Sequence, residues 1–110
     1  MKKNSLMSVL PSNSKTKKYT ALFMIDGKEK KVSFGASDYR DYTLINDKNS
    51  KFYLPKILDR NVVKASYIRR HEKKEDWTNP LTPGALSRWL LWEKKTLPSA
   101  IKAFKKRFKL

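Results

Sequence analysis

The hydrophobic pattern of this chain changes period part-way along. Between residues 18 and 35 apolar positions alternate. Tyr19, Ala21, Phe23 and Ile25 interleave with Thr20, Leu22 and Met24, and Lys30, Val32 and Phe34 then interleave with Glu29, Lys31 and Ser33. A period of two belongs to a half-buried strand. Asp26-Gly27 separates the two runs, and this pair suits a type I′ turn, which needs positive φ at both central positions. The pattern predicts a β-hairpin over 18–35, ended by Gly35. Because an isolated hairpin is marginal in water, it must pack on something else.

From residue 62 the period lengthens to that of a helix. Val62, Ala65, Ile68 and His71 recur at three-residue steps, predicting a helix over 62–75 with its basic side chains mostly off the apolar face. Thr82-Pro83 reads as the N-cap and first turn of a second helix, since proline's missing N–H costs nothing there. Leu86, Trp89, Leu90 and Glu93 step down one side of it, with Ala85 and Trp92 beside them. Thr96 and Pro98 open a third helix, along which Leu97, Ile101, Phe104 and Phe108 form a stripe. Trp77 reads as a lid over these helices and Trp89 as core. Trp92 is angularly displaced, where it could serve as core or as a stacking platform for a base.

The remaining segments are less regular. A turn over 37–43 leads to a candidate third strand through Tyr42, Leu44 and Ile45, and 46–50 is a loop. Phe52 to Leu58 is interrupted by Pro55 and reads as an irregular excursion. Residues 1–17 carry Lys2, Lys3, Lys15 and Lys17 with no acid and much Ser and Asn, a composition that suits a flexible basic arm. The expected fold is α+β: an N-terminal β-hairpin, with room for a three-stranded antiparallel sheet, packed against three C-terminal helices. The arm precedes a single small domain over 18–110.

Charge then narrows the partner. The chain has 26 Lys and Arg against 10 Asp and Glu, a net charge of +16 on 110 residues. Such self-repulsion is relieved by a polyanion, and each phosphate neutralised also releases condensed counterions. Nucleic acid, with duplex DNA first, is the expected partner. Acidic surfaces of neighbouring proteins are the alternative. No apolar run approaches the ~18 residues of a membrane-spanning helix, and Leu6 to Leu10 is too short for a secretory leader.

Two basic clusters are the candidate contacts. Arg69, Arg70, Lys73 and Lys74 surround His71, with Glu72, Glu75 and Asp76 as acidic neighbours able to hold part of their charge. Lys102, Lys105, Lys106, Arg107 and Lys109 have no acid among them. Catalysis and cofactor binding find no players. The chain has no Cys, one His and three scattered Gly. His71-Glu72 lacks the second His of a His-Glu-x-x-His helix, and the loop acids show no metal-site spacing. No catalytic residue, metal ligand or cofactor is expected.

Several runs carry a resemblance. They are Ser33-Phe34-Gly35, Asp38-Tyr39 with Asp41-Tyr42-Thr43, Tyr67-Ile68-x-Arg70-His71-x-Lys73-Lys74-Glu75-x-Trp77, Gly84-Ala85-Leu86-Ser87-Arg88-Trp89-Leu90-Leu91-Trp92, and Lys105-Lys106-Arg107-Phe108. Together they resemble a family of short, basic, functionally uncharacterised proteins encoded by large nucleocytoplasmic DNA viruses of algae and amoebae. The resemblance covers 18–110 except for 49–64, which reads as an insertion, and the Gly-Ala-Leu-Ser-Arg-Trp run is its specific part. It implies a viral protein, in the virion or inside the host cell. Two roles are expected there: sequence-nonspecific DNA binding that condenses or packages the genome, and a minor capsid or core protein that cements virion components.

Overall fold

A computed structural model of the protein describes residues 4–110, so Lys2 and Lys3 of the expected arm lie outside the described residues. The architecture is α+β. Three antiparallel strands, β1 (Ser5–Pro11), β2 (Lys17–Ile25) and β3 (Lys28–Ala36), form a sheet in the order β1-β2-β3, and helices follow. The expected hairpin is present, with Ala21 opposite Val32 and Phe23 opposite Lys30. Asp26 and Gly27 both have positive φ, as the tight turn requires.

The third strand lies N-terminal to the hairpin, within the stretch expected to be a flexible arm. Leu6 is 2 % exposed and belongs to the core, and Val9 packs against it. Two inward residues three apart do not fit a regular strand. A register shift between Leu6 and Ser8 resolves this, placing Leu6 opposite Phe23 and Val9 opposite Ala21, both inward positions of β2. The Leu6 amide also donates to the Leu110 carbonyl, tying β1 to the other end of the chain.

The strand expected through Tyr42, Leu44 and Ile45 is instead one helical turn, α1 (Tyr42–Ile45). Asp41 dictates this. Its carboxylate accepts from the Leu44 amide as an N-cap and from the Thr43 hydroxyl, and it is ion-paired to Lys18. The next helix, α2 (Ile57–His71), begins earlier and stops sooner than the 62–75 expected. Its inward stripe is Arg60, Val63, Lys64, Tyr67, Ile68 and His71, and Val62 is 59 % exposed. The stripe is rotated because two cations on it have work to do inside. The Arg60 guanidinium donates to the Leu54 and Pro55 carbonyls and to Asn46, holding the 46–56 excursion in place. Lys64 donates to the Glu93 carbonyl and lies over the Tyr42 ring.

The helix opening at Thr82-Pro83 is α-helical only as far as Leu86 (α3, Pro83–Leu86), with the Thr82 hydroxyl capping Ala85. It then widens into a π-helical segment, Ser87–Leu91, which turns Arg88, Leu90, Leu91 and Trp92 all inward. The last helix, α4 (Leu97–Phe108), is capped by Thr96. Phe104 meets Phe23 of the sheet at 6.4 Å between ring centres. Leu97, Ile101 and Phe108 pack partly buried around it, as the stripe required. The π-helical segment approaches the end of β3 closely. A Cβ on Gly35, whose φ is +78°, would sit 2.8 Å from a Leu91 methyl, so only glycine fits there.

Candidate nucleic-acid interface

Both predicted basic clusters are on the surface. Arg69 and Arg70 occupy the last turn of α2, and Lys73 and Lys74 follow it. Lys102, Lys105, Lys106 and Arg107 project from α4, with Lys109 as its cap in the left-handed conformation. All nine are exposed. The acids expected to neutralise the first cluster do not do so. Glu75 is taken by the His71 ring and the Trp77 indole, and Asp76 by Thr78. Arg69, Arg70, Lys73 and Lys74 therefore form no ion pair among the described residues. Lys94 and Lys95, exposed just before α4, extend the second cluster to seven cations between residues 94 and 109.

A chain of stacked and bonded side chains connects the two clusters. The Arg107 guanidinium lies 3.7 Å from the Trp89 ring centre, and Trp89 meets Trp77 edge to face at 6.5 Å. The Trp77 indole N–H donates to Glu75, whose other oxygen is 3.0 Å from His71 Nδ1. His71 stacks on Tyr67 at 4.3 Å, and Tyr67 stacks nearly parallel on Trp92 at 4.2 Å. Aromatic contacts of this kind contribute beyond their buried area. They link the end of α2 to the end of α4 through one continuous set of contacts. The buried Arg88 also lies over Trp89, 4.4 Å from the ring centre, and is paired with Glu93 at 2.9 Å. Burial would raise the Glu93 pKa, but the hydrogen bond and charge of Arg88, with Lys64 and Lys94, outweigh it and hold the carboxyl below its usual range.

This geometry corrects the base-stacking expectation. Trp92 is 5 % exposed with Tyr67 flat against it, so it is core and offers no platform. Trp89 is only partly buried, but the Arg88 and Arg107 guanidiniums both lie over its ring. A base would have to displace Arg107 to stack there.

Sequence reasoning missed a cavity of about 300 Å³ between the end of β3, residues 39–41, the C-terminus of α2 and the π-helical segment. Lys18, Arg40, Tyr67 and Ser87 line it alongside Arg70. They are far apart in sequence, so only the Asp41-x-x-Leu44 cap, which fixes residues 39–41, carried a local signal. No group of three or more His, Cys, Asp or Glu gathers among the described residues, and no helix there is long and apolar enough to cross a membrane.

Residues 7–53 match a family of unknown function (DUF5754). The match spans most of β1, the hairpin, α1 and the following loop, and it stops before α2. No curated protein and no solved structure matches the chain. The family match carries neither an activity nor a source.

Proposed function

We propose that the protein binds nucleic acid without regard to sequence, through Lys and Arg contacts to phosphates, with duplex DNA as the main target. The observation that supports this most is the state of the cations. The 26 Lys and Arg of the chain, less Lys2 and Lys3, leave 24 described. Only Lys18, Lys31, Lys51, Lys64 and Arg88 are in ion pairs. Unpaired surface lysines repel one another and are relieved by a polyanion. Most are flexible point charges lacking the fixed fork that reads guanine, which favours backbone contact over base readout. In the viral setting implied by the family resemblance, such binding would condense or package a genome, in the virion or the infected cell.

Fluorescence anisotropy on labelled random-sequence duplexes tests the reading. Several unrelated duplexes should bind with similar affinity, and Lys102→Glu with Lys106→Glu should weaken all of them together. Unchanged binding in that variant, or strong preference for one duplex, would contradict it.

One observation favours a second reading, a minor capsid or core component. Ile57, Leu58 and Val62 are 65 %, 73 % and 59 % exposed on the outer side of α2, an apolar patch that protein contact would cover. Such a component would fractionate with protein shells freed of genome, whereas a DNA binder would leave with the genome.

A further inference from the structure

The cavity between residues 39–41, α2 and the π-helical segment holds polar groups of two kinds, and sorting them indicates its ligand. Its two acids are fully engaged. Asp41 takes hydrogen bonds from Lys18, Thr43 and the Leu44 amide, and Glu75 takes the Trp77 indole and the His71 ring. What remains uncommitted is rich in donors. Among the described residues the Arg40 guanidinium and the Ser87 hydroxyl enter no side-chain hydrogen bond, and Arg70 uses only its Nε, toward the Ser66 carbonyl. Tyr67 is 6 % exposed and lines the cavity, and among the described residues its hydroxyl enters no hydrogen bond.

The Tyr67 hydroxyl is not sealed in the core but opens onto the cavity, where a ligand or water can take its hydrogen bond. Burial and then the Glu75 charge push the Tyr67 pKa well above its ordinary value, so the group keeps its proton and stays a donor. Its ring is clamped between His71 and Trp92, which fixes where the hydroxyl lies. The nearby end of α2 does not compete, because its Ile68 and His71 carbonyls are capped by the Glu72 and Lys74 amides. Fixed hydroxyl donors with arginines at the rim match the several acceptor oxygens of a phosphate. A volume of about 300 Å³ is at the lower end of the range for small-ligand pockets.

We propose that this cavity binds a single phosphate group, held by the Tyr67 and Ser87 hydroxyls and the Arg40 and Arg70 guanidiniums. The site stands apart from the α4 surface proposed for duplex DNA, sharing only Arg70 with the basic clusters. The phosphate could come from a small phosphorylated molecule or from the end of a nucleic-acid strand.

The test uses the full chain at constant ionic strength, with amide NMR shifts followed during titration with inorganic phosphate, a nucleoside 5′-monophosphate, and short oligonucleotides with and without a 5′-phosphate. Saturable shifts at Tyr67, Ser87 and Trp92 are expected. Tyr67→Phe keeps the stack but removes the donor, and should weaken binding about tenfold, the value of one hydrogen bond to a charged group. Ser87→Ala should weaken it in the same direction. Tight monophosphate binding with indifference to the oligonucleotide terminus would identify a small-molecule site, and preference for the 5′-phosphorylated strand would identify a strand end. Lys102→Glu with Lys106→Glu should leave monophosphate affinity unchanged while weakening duplex binding, so either proposal can fail without the other. Shifts confined to the α4 lysines, no saturation by either small ligand, or Tyr67→Phe and Ser87→Ala both binding like the unaltered protein would overturn the proposal.

Discussion

Asp41 is the buried carboxylate on which the 39–41 wall of the cavity and the start of α1 depend. It is 2 % exposed, paired with Lys18, and caps the Leu44 amide. Removing a side-chain N-cap costs about 1 kcal/mol. Removing one partner of a buried ion pair costs about 3–5 kcal/mol, because the other charge is stranded. The Lys18 side chain is 14 % exposed and can turn its ammonium toward water, so the lower end of that range applies. Asp41→Ala should therefore cost about 3–4 kcal/mol, a large fraction of the roughly 5–15 kcal/mol that stabilises a domain. Urea unfolding measures it. A double-mutant cycle with Lys18→Met isolates the pair, and the double variant should cost at least about 1 kcal/mol less than the two singles together. A cost below about 1 kcal/mol for Asp41→Ala, or strictly additive singles, would refute the reasoning.

Other consequences are as specific. Trp92→Ala should cost about 3–5 kcal/mol, the range for large core truncations, and more than Trp89→Ala, because Trp92 is buried while Trp89 is partly exposed; thermal melts that rank them the other way would contradict the assigned core. Glu93 has a lowered folded-state pKa, so its contribution is complete above the unfolded carboxyl range and disappears as pH falls through the folded value; Glu93→Gln should flatten the loss of stability on acidification below about pH 4.5. Lys102→Glu with Lys106→Glu should weaken duplex binding more than Lys73→Glu with Lys74→Glu. The acids Glu72 and Asp76 do not pair with the second set, but they lie within a Debye length of it and lower the local potential; equal losses would mean that the charge acts only in bulk.

The hairpin, its turn, the caps at Thr82 and Thr96 and the α4 stripe were legible because each is a local pattern. Strand β1 was not, since its bulge breaks the alternation that would have joined Leu6 to Val9. The inward face of α2 was misread for a different reason. Arg60 and Lys64 count as polar in any periodicity, yet they point inward to bind backbone carbonyls. The strand expected at Tyr42 gave way to a helical turn because a distant residue, Lys18, anchors the Asp41 cap. The surface position of the basic clusters followed from charge, whereas the failure of Glu72, Glu75 and Asp76 to neutralise them depended on Trp77, His71 and Thr78 taking up two of those acids. The phosphate cavity joins residues from 18 to 92, and no spacing in the chain announces it.

Phosphate-driven, sequence-independent binding is tested most directly by its salt dependence on random duplex DNA. With roughly 5 to 8 phosphates contacted, log K against log salt should fall with a slope of about −4.5 to −7, at about −0.9 per contact. A slope near zero, or no binding to any duplex at about 50 mM salt, would contradict it.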